Sequence, residues 1–252
     1  MVFSSLSFLF CFFPAFLLVY YLTPSRPAGA RNAVLLVGSS VFYIIGLDGQ
    51  WAYFALLAAS VLVNYGLGLA IVRDKPRAKL WLILGICYNF LWLFLFKYLN
   101  FVLTGINGAL GLVSGGKAAI PLLRWALPVG ISFYTFQILS YVIDVYRGDA
   151  PAQRNLIDLA AYIAMYPQLV AGPIVRYADV APQLRSRTHT VQDAALGARR
   201  FVLGLGKKVL LANVLYELVT VYQQSGQKTV LLTWLYAGAY MLHVYFDFSG
   251  YS

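Results

Sequence analysis

Long apolar runs divide this sequence and leave only short polar loops between them. A helix needs roughly 20 apolar residues to cross the hydrocarbon core of a bilayer, where lipid offers no partner to backbone polar groups. Of the 252 residues, 61% are hydrophobic and only 11% are charged, which excludes a soluble domain of this size. The pattern predicts an all-α, polytopic integral membrane protein with about six spans. The predicted spans cover residues 3–22, 32–47, 52–72, 80–103, 127–146 and 230–248.

Two further apolar segments, residues 156–171 and 194–222, are interrupted by helix-breaking residues. We predict that both form re-entrant or interfacial helices. No internal repeat and no long hydrophilic linker occurs in the sequence, so the simplest organisation is one integral domain over residues 1–252. The interrupting residues are Pro167, Gly172, Pro173, Gly204 and Gly206.

The net charge of +10 lies mainly in loops next to apolar runs. Basic loops stay on the cytoplasmic side, so the basic residues after the first and third predicted spans place the N-terminus outside. Membrane topology and contact with anionic lipid explain the excess charge without a nucleic-acid partner. The alternative is that some basic residues face an anionic cytosolic ligand, such as the phosphates of an acyl carrier. The candidates for that role are Arg147, Arg154, Arg176, Arg199, Arg200, Lys207 and Lys208.

Polar side chains lie inside the predicted span at residues 127–146. Because lipid cannot satisfy them, they should face protein neighbours or a wet cavity. For Asp144 we predict a structural ion pair with Arg147, which follows it by one helical turn. The polar residues of this span are Ser132, Thr135, Gln137, Ser140 and Asp144.

The Gly172-Pro173 step follows Pro167 and precedes Arg176, and it should break helix geometry. At membrane depth, irregular backbone persists only where it is buried in protein or lines a cavity. The segment is therefore either a re-entrant wall of a cavity or a kinked packing element.

His243 and Asp247 lie four residues apart in the last apolar run. A helix places both on one face, where the carboxylate could orient the imidazole or raise its pKa. A buried polar pair of this kind more commonly serves helix packing, so His243 is a minor candidate for catalysis. Asp247 either lines an internal cavity or lies at the membrane interface beside tyrosines.

Motifs for common cofactors and metals do not occur. Cys11 and Cys87 stand alone in separate apolar runs without metal-ligand spacing, which is typical of packing residues. No phosphate loop, dinucleotide fingerprint, nucleophile elbow or zinc signature is found. We therefore expect no resident metal and no bound cofactor.

Several separate stretches resemble the membrane-bound O-acyltransferase family, specifically the bacterial alginate O-acetylation type related to the D-alanylation acyltransferases of Gram-positive cell walls. The resemblance covers essentially the whole chain. The matching stretches are MVFSSLSFLFCFFPAFLLVYYLTP, VNYGLGL, FKYLNF, PVGISFYTFQILSYVIDVYRG, YPQLVAGPIVRY and YFDFSGYS.

The resemblance implies a ring of tilted helices around a funnel in the bacterial inner membrane. The outside N-terminus that the basic loops predict would then lie in the periplasm. The resemblance further implies transfer of an acyl group from a cytosolic donor, with acetyl-CoA as the expected substrate. The acceptor would be alginate or another exopolysaccharide, and periplasmic acetyltransferase proteins would be partners. On this basis the candidates for the funnel wall or substrate path are Gln137, Gly172, Pro173, Arg176, His243 and Asp247.

The resemblance also limits what this chain can do alone. Family members continue beyond the match to YFDFSGYS, and the presumed catalytic histidine lies in the tryptophan-rich segment that follows. We therefore expect that histidine to lie beyond Ser252, so that the chain is an N-terminal portion with no catalytic residue of its own. The alternatives are a non-catalytic carrier for an acyl or glycan intermediate and a scaffold that recruits partners. A carrier would more often show an inverted repeat, and none is visible in the sequence.

Overall fold

The protein is described by a computed structural model, which covers residues 3–24, 28–114, 120–123, 125–169, 172–226 and 229–251. These residues are almost entirely helical and contain no β-strand. The all-α prediction is confirmed. The α-helices are α1 (Phe13–Leu22), α2 (Ala28–Gly46), α3 (Trp51–Arg73), α4 (Ala78–Leu93), α5 (Leu99–Ser114), α6 (Ile131–Arg147), α7 (Leu156–Ala164), α8 (Tyr166–Leu169), α9 (Tyr177–Arg185), α10 (Val191–Gly206), α11 (Asn213–Gln224) and α12 (Val230–Tyr251).

Single π-helical turns lie inside longer helical runs. They occupy Phe8–Phe12 before α1, Phe94–Tyr98 between α4 and α5, and Lys207–Ala212 between α10 and α11. The residues that flank the last turn keep right-handed helical backbone angles, so residues 191–224 form one continuous helix. The predicted division of residues 194–222 at Gly204 and Gly206 is therefore wrong, because a helix tolerates glycine at a modest energetic cost.

Three helical runs are long and apolar enough to cross a membrane, namely Gly29–Gly46, Trp51–Arg73 and Lys75–Gly111. They match the predicted spans at residues 32–47, 52–72 and 80–103. The first predicted span corresponds to a shorter apolar helix, Phe8–Leu22. The last two predicted spans form α6 and α12, which do not meet the same criteria of length and composition.

α6 begins at Ile131, four residues later than the predicted span at residue 127. Gly130 precedes it with a φ of 75°, a left-handed conformation that glycine adopts without strain. A Cβ at Gly130 would also overlap the carbonyl oxygen of Leu169. The backbone therefore turns sharply into α6 at a point where only glycine fits.

Side chains of α3 and α5 form hydrogen bonds with the backbone of the non-helical residues before α6. Asn107 exchanges two hydrogen bonds with the backbone of Ile120, at 2.7 and 2.8 Å. Asn100, two turns earlier in α5, exchanges two with the backbone of Leu123, at 2.6 and 3.0 Å. The hydroxyl of Tyr53 donates to the Ala126 carbonyl at 2.7 Å. Asparagine and tyrosine side chains thus satisfy backbone groups that have no helix or sheet to join.

The chain divides into two compact units, residues 18–186 and residues 1–17 with 187–252. The single-domain organisation stays a prediction. Among the described helices of the larger unit, α6 contributes the largest number of buried residues, with Ile138, Tyr141 and Val142 fully enclosed. α4 runs antiparallel to α6, since Lys97 in the π-helical turn after α4 contacts Ser132 while Gly85 lies against Val142.

A reciprocal amide pair joins α3 to α4 inside this unit. Asn64 and Asn89 are both buried, and each donates its side-chain amide to the other's oxygen, at 3.2 and 2.8 Å. Each amide also donates to the carbonyl four residues earlier in its own helix. Both side chains are therefore satisfied within an apolar environment, as helices in lipid require.

Residues 156–169 and 172–185 form the two arms of a helical hairpin whose ends lie close together. Asn32 of α2 donates to the Asp158 carboxylate at 2.7 Å and to the Leu184 carbonyl at 2.9 Å, so one side chain holds both ends. Between these ends, α7 and α8 extend toward the start of α6, where the Leu169 carbonyl lies close to Gly130. The predicted break near Pro167 and Gly172 is confirmed.

In the smaller unit, the continuous helix of residues 191–224 packs against α12 in antiparallel orientation. A Cβ at Gly204 would overlap the Gly250 carbonyl oxygen, so the two backbones approach closely there. At the other end of the pair, the hydroxyls of Tyr222 and Thr233 share a hydrogen bond of 2.7 Å.

Candidate functional site

The C-terminal end of α6 carries a buried carboxylate, Asp144, whose side chain is only 3% exposed. Its Oδ1 accepts a 2.6 Å hydrogen bond from Nη2 of Arg176, and its Oδ2 accepts longer bonds from the Ser140 hydroxyl and the Ala178 backbone amide. Nη2 of Arg176 also lies 3.3 Å from Asp149 Oδ2. A buried carboxylate needs such partners because desolvation penalises its charge.

The expected ion pair between Asp144 and Arg147 is wrong. Arg147 is exposed as the last residue of α6, and Gly148 follows it with a φ of 82° that ends the helix. The partner of Asp144 is instead Arg176, brought back by the hairpin. The salt bridge therefore holds the returning segment of the hairpin against α6, whereas a pair with Arg147 would have stabilised α6 alone.

The Arg176 guanidinium is 54% exposed and lies beside two carboxylates. Asp144 and Asp149 together outweigh its charge, so this cluster has a net negative charge and does not favour a phosphate ligand. The hydrogen bond and charge of Asp144 raise the pKa of Arg176. The geometry fits a positioning role for Arg176 better than direct binding of an anion.

Gln137 lies near the middle of α6 and is almost fully buried. Its side-chain amide donates to the Tyr162 carbonyl of α7 at 2.9 Å and to the Gln168 side-chain oxygen of α8 at 2.7 Å. It therefore links α6 to both helices of the hairpin and satisfies a carbonyl close to the helix break.

Gly172 is buried at the turn of the hairpin, and a Cβ there would lie 2.6 Å from the Pro167 carbonyl oxygen and 2.7 Å from the Gln168 Cα. Both contacts are to backbone atoms, which cannot move aside as a flexible side chain could. Pro173 follows in non-helical backbone and is exposed. Glycine is thus required by close packing, and proline ends any helical continuation.

The tyrosines at the base of the hairpin form one packed group. The Tyr177 ring stands edge-on to those of Tyr141 and Tyr162, with centroids 4.8 and 5.3 Å away. The Tyr162 hydroxyl donates to the Val175 carbonyl at 2.8 Å, which holds the returning segment against α7. Within the described residues, the Tyr177 hydroxyl is buried without a hydrogen-bond partner.

His243 of α12 binds the opposite helix and not Asp247. Its Nδ1 lies 2.9 Å from the Ala212 carbonyl oxygen in the π-helical turn, and its ring packs against Tyr216 with centroids 5.0 Å apart. A carbonyl can only accept, so Nδ1 carries the proton and Nε2 is left as the acceptor of the neutral ring.

Asp247 forms a salt bridge of 2.5 Å with Lys208, which lies in the same π-helical turn. Asp247 therefore does not orient the His243 imidazole, an arrangement that the sequence allowed only as a minor alternative to helix packing. Both side chains point to one neighbouring helix and bind successive turns of it, at Lys208 and Ala212. This pattern is typical of specific helix pairing.

The structure thus sorts the candidate residues into two groups. Gln137 and Arg176 hold the hairpin against α6. Gly172 and Pro173 lie at its turn, where Gly172 packs against Pro167 and Gln168. His243 and Asp247 hold α12 against its partner helix. No group of three His, Cys, Asp or Glu side chains within the described residues is placed to hold a metal ion.

Several residues that complete these contacts were not singled out by the sequence. Gln168, Asp149 and Gly250 have no distinctive spacing relative to their partners, which lie far away in the chain. Lys208 was considered only as an anion ligand, but it pairs with Asp247. The one available signal was the position of Gln168 and Gly250 inside the stretches YPQLVAGPIVRY and YFDFSGYS.

Comparison with known proteins gives close relatives over the whole chain. No family model matches. The chain is 45% identical to a protein named "Probable alginate O-acetylase AlgI" from Pseudomonas syringae pv. tomato and covers 48% of it. It is 46% identical to a protein of the same name from Pseudomonas aeruginosa, again covering 48%. The chain is a relative of the alginate O-acetylases. This relationship confirms the resemblance to the alginate O-acetylation type of membrane-bound O-acyltransferase.

A more distant relative of this chain is a protein named "Peptidoglycan O-acetyltransferase" from Helicobacter pylori. The two are 31% identical over the whole of this chain, which covers 52% of the Helicobacter protein. The chain spans about half the length of the curated relatives it matches. This chain is a bacterial membrane protein, as its relatives and its candidate spans together indicate.

Proposed function

We propose that this chain forms part of a membrane-bound O-acyltransferase that moves an acetyl group from a cytosolic donor across the inner membrane toward alginate or another exopolysaccharide. Acetyl-CoA is the proposed donor, and periplasmic acetyltransferase proteins are the proposed partners. The observation that carries the proposal is identity of 45–46% over the whole chain to two proteins named as alginate O-acetylases. The N-terminus is proposed to lie in the periplasm.

The hairpin of residues 156–185 supplies a structural element suited to this function. Irregular backbone is tolerated at membrane depth only where protein or a cavity covers it. Here Arg176 and Gln137 link the hairpin to α6, and Gly172 allows close packing of the backbone at its turn. We propose that the hairpin forms part of the funnel wall and that these residues position it. His243 and Asp247 are proposed to hold the α12 helix pair, and no residue of this chain is assigned the catalytic histidine role.

The test is a chimera in which this chain replaces the matching half of the Pseudomonas aeruginosa relative. It is expressed in a strain that lacks that relative, and the acetyl content of secreted alginate is measured. We expect restored acetylation. A chimera that inserts at normal levels but yields unacetylated alginate would contradict the proposal, and acetylation of peptidoglycan instead would redirect the acceptor.

A pair of arginine substitutions tests the hairpin in the same chimera. Arg176→Ala removes the salt bridge to Asp144 and leaves that carboxylate buried without its charged partner, so acetylation should fall sharply. Arg147→Ala, three residues after Asp144 and exposed, is the matched control and should retain activity. Equal activity of both variants would remove the hairpin from the proposed mechanism.

A further inference from the structure

An apolar cavity of about 290 Å³ opens between α2, α3 and α7 in the larger unit. Its lining includes Leu36 of α2, Ala58 and Val61 of α3, and Leu156 and Ala160 of α7. The one polar side chain in the lining is Ser40. Small alanines on two of the three helices create the space, because a larger side chain at either position would fill it.

The chemistry of this lining excludes an aqueous occupant. A buried water typically needs two to four polar partners, and a single serine hydroxyl cannot provide them. α2 and α3 both qualify as membrane-crossing helices, so we expect the medium at the mouth of the cavity to be hydrocarbon. Acyl chains are therefore the molecules that reach the cavity at the highest local concentration.

A basic residue precedes the cavity-lining part of α7 by two positions. Arg154 comes two residues before Leu156, and its side chain is exposed. The Tyr65 hydroxyl donates to the Arg154 carbonyl at 2.8 Å, which fixes this part of the backbone beside α3. Unlike Arg176, Arg154 forms no salt bridge with the described residues. An exposed guanidinium without a carboxylate partner attracts a lipid phosphate where it reaches the headgroup region.

We propose that this cavity binds one acyl chain of an anionic phospholipid, with the headgroup phosphate at Arg154. The bound lipid packs between α2, α3 and α7 and supports α7 of the hairpin. Nothing in this proposal depends on acetyl transfer, since it follows from the lining, the surrounding helices and the position of the arginine.

The test uses the chain in nanodiscs that contain phosphatidylglycerol with a photoreactive diazirine near the middle of one acyl chain. After illumination, crosslinked peptides are mapped by mass spectrometry. We expect labelling of α3 and α7 peptides at the cavity-lining positions. Ala58→Leu should abolish that labelling by filling the cavity, as should Ala160→Leu. Ala59→Leu, at the adjacent exposed position outside the lining, is the matched control and should not change it.

The headgroup is tested by competition with unlabelled lipid. Phosphatidylglycerol should displace the probe more effectively than phosphatidylcholine, and Arg154→Gln should remove the difference while Arg147→Gln preserves it. Labelling that is the same in the Ala58→Leu, Ala160→Leu and Ala59→Leu proteins would overturn the acyl-chain site. Equal competition by the two lipids in the unsubstituted chain would overturn the anionic headgroup.

Discussion

Asn64 and Asn89 show how polar residues are accommodated between apolar helices. Each amide binds the other and also a carbonyl of its own helix, so no polar group faces lipid. Gln137 follows the same principle with partners in α7 and α8. Sequence alone predicts that such residues face protein, but it does not reveal the partner, which lies 25 positions away in the asparagine pair.

Removing one member of the asparagine pair should destabilise the protein. In Asn89→Ala the Asn64 amide loses its inter-helix partner, and hydrogen bonds between membrane helices are worth about 0.6–2 kcal/mol. We expect a loss of free energy of unfolding of about that size in micelles. A double-mutant cycle with Asn64→Ala should give a clear coupling energy, whereas strictly additive losses would show that the two amides do not interact.

The tautomer of His243 gives a second test at this scale. Because the Ala212 carbonyl accepts from Nδ1, the neutral ring should carry its proton on Nδ1. The measurement is nitrogen NMR of the histidine-labelled His189→Gln protein, which leaves His243 as its one histidine. Signals of the Nε2-protonated tautomer would contradict the contact. Ala212 offers no side-chain alternative, so the readout reports the backbone bond itself.

Glycine positions determine how closely the helices approach. Gly204 faces the Gly250 backbone, whereas Gly197 in the same helix is exposed with open space around its Cα. The sequence singled out Gly204 as a helix break, which was wrong. Composition alone cannot distinguish a glycine that ends a helix from one that allows a neighbour to approach, because the difference lies in the partner.

These two glycines should respond to alanine in opposite ways. Gly204→Ala places a methyl group on the Gly250 carbonyl, and overpacking of this kind costs about 1–3 kcal/mol. Gly197→Ala meets nothing and should stabilise the helix by up to about 1 kcal/mol through higher helix propensity. Thermal unfolding followed by circular dichroism measures both. A neutral Gly204→Ala would indicate that the helix pair separates easily.

Local sequence determines the boundaries of some helices but not of others. The spans over α2 and α3 were predicted within a few residues because uninterrupted apolar length specifies them. The start of α6 was predicted too early, since residues 127–130 are apolar yet held in non-helical backbone by Gly130 and by Tyr53 and Tyr43. The salt bridge of Asp144 was assigned to Arg147 because the return of the hairpin cannot be seen in local spacing.

At the scale of the whole molecule, the distribution of basic residues sets the expected orientation. The connection from the end of α3 to the start of α4 carries Arg73, Lys75, Arg77 and Lys79, and positive connections remain on the cytoplasmic side. The three candidate spans and the relatives identify a membrane protein, while the sidedness of each loop stays a prediction. The ring or funnel arrangement likewise stays a prediction.

Cysteine accessibility tests the orientation directly. In a background with Cys11 and Cys87 replaced by alanine, Lys75→Cys should react with a membrane-impermeant maleimide only after the inner membrane is opened. Ala126→Cys, in the exposed segment before α6, should react in spheroplasts with that membrane intact. The reverse result would invert the topology and place the N-terminus in the cytoplasm.

The π-helical turn at Lys207–Ala212 has a consequence for how this chain can change in length. A π turn contains one residue more than the α-helical turn that it replaces. Deleting one residue there would therefore leave the side chains of Val191–Gly206 and Asn213–Gln224 facing their present directions. The same deletion inside α11 would rotate everything beyond it by about 100° and turn a different face toward α12. Among natural homologues, single-residue insertions and deletions in this helix should therefore concentrate at residues 207–212.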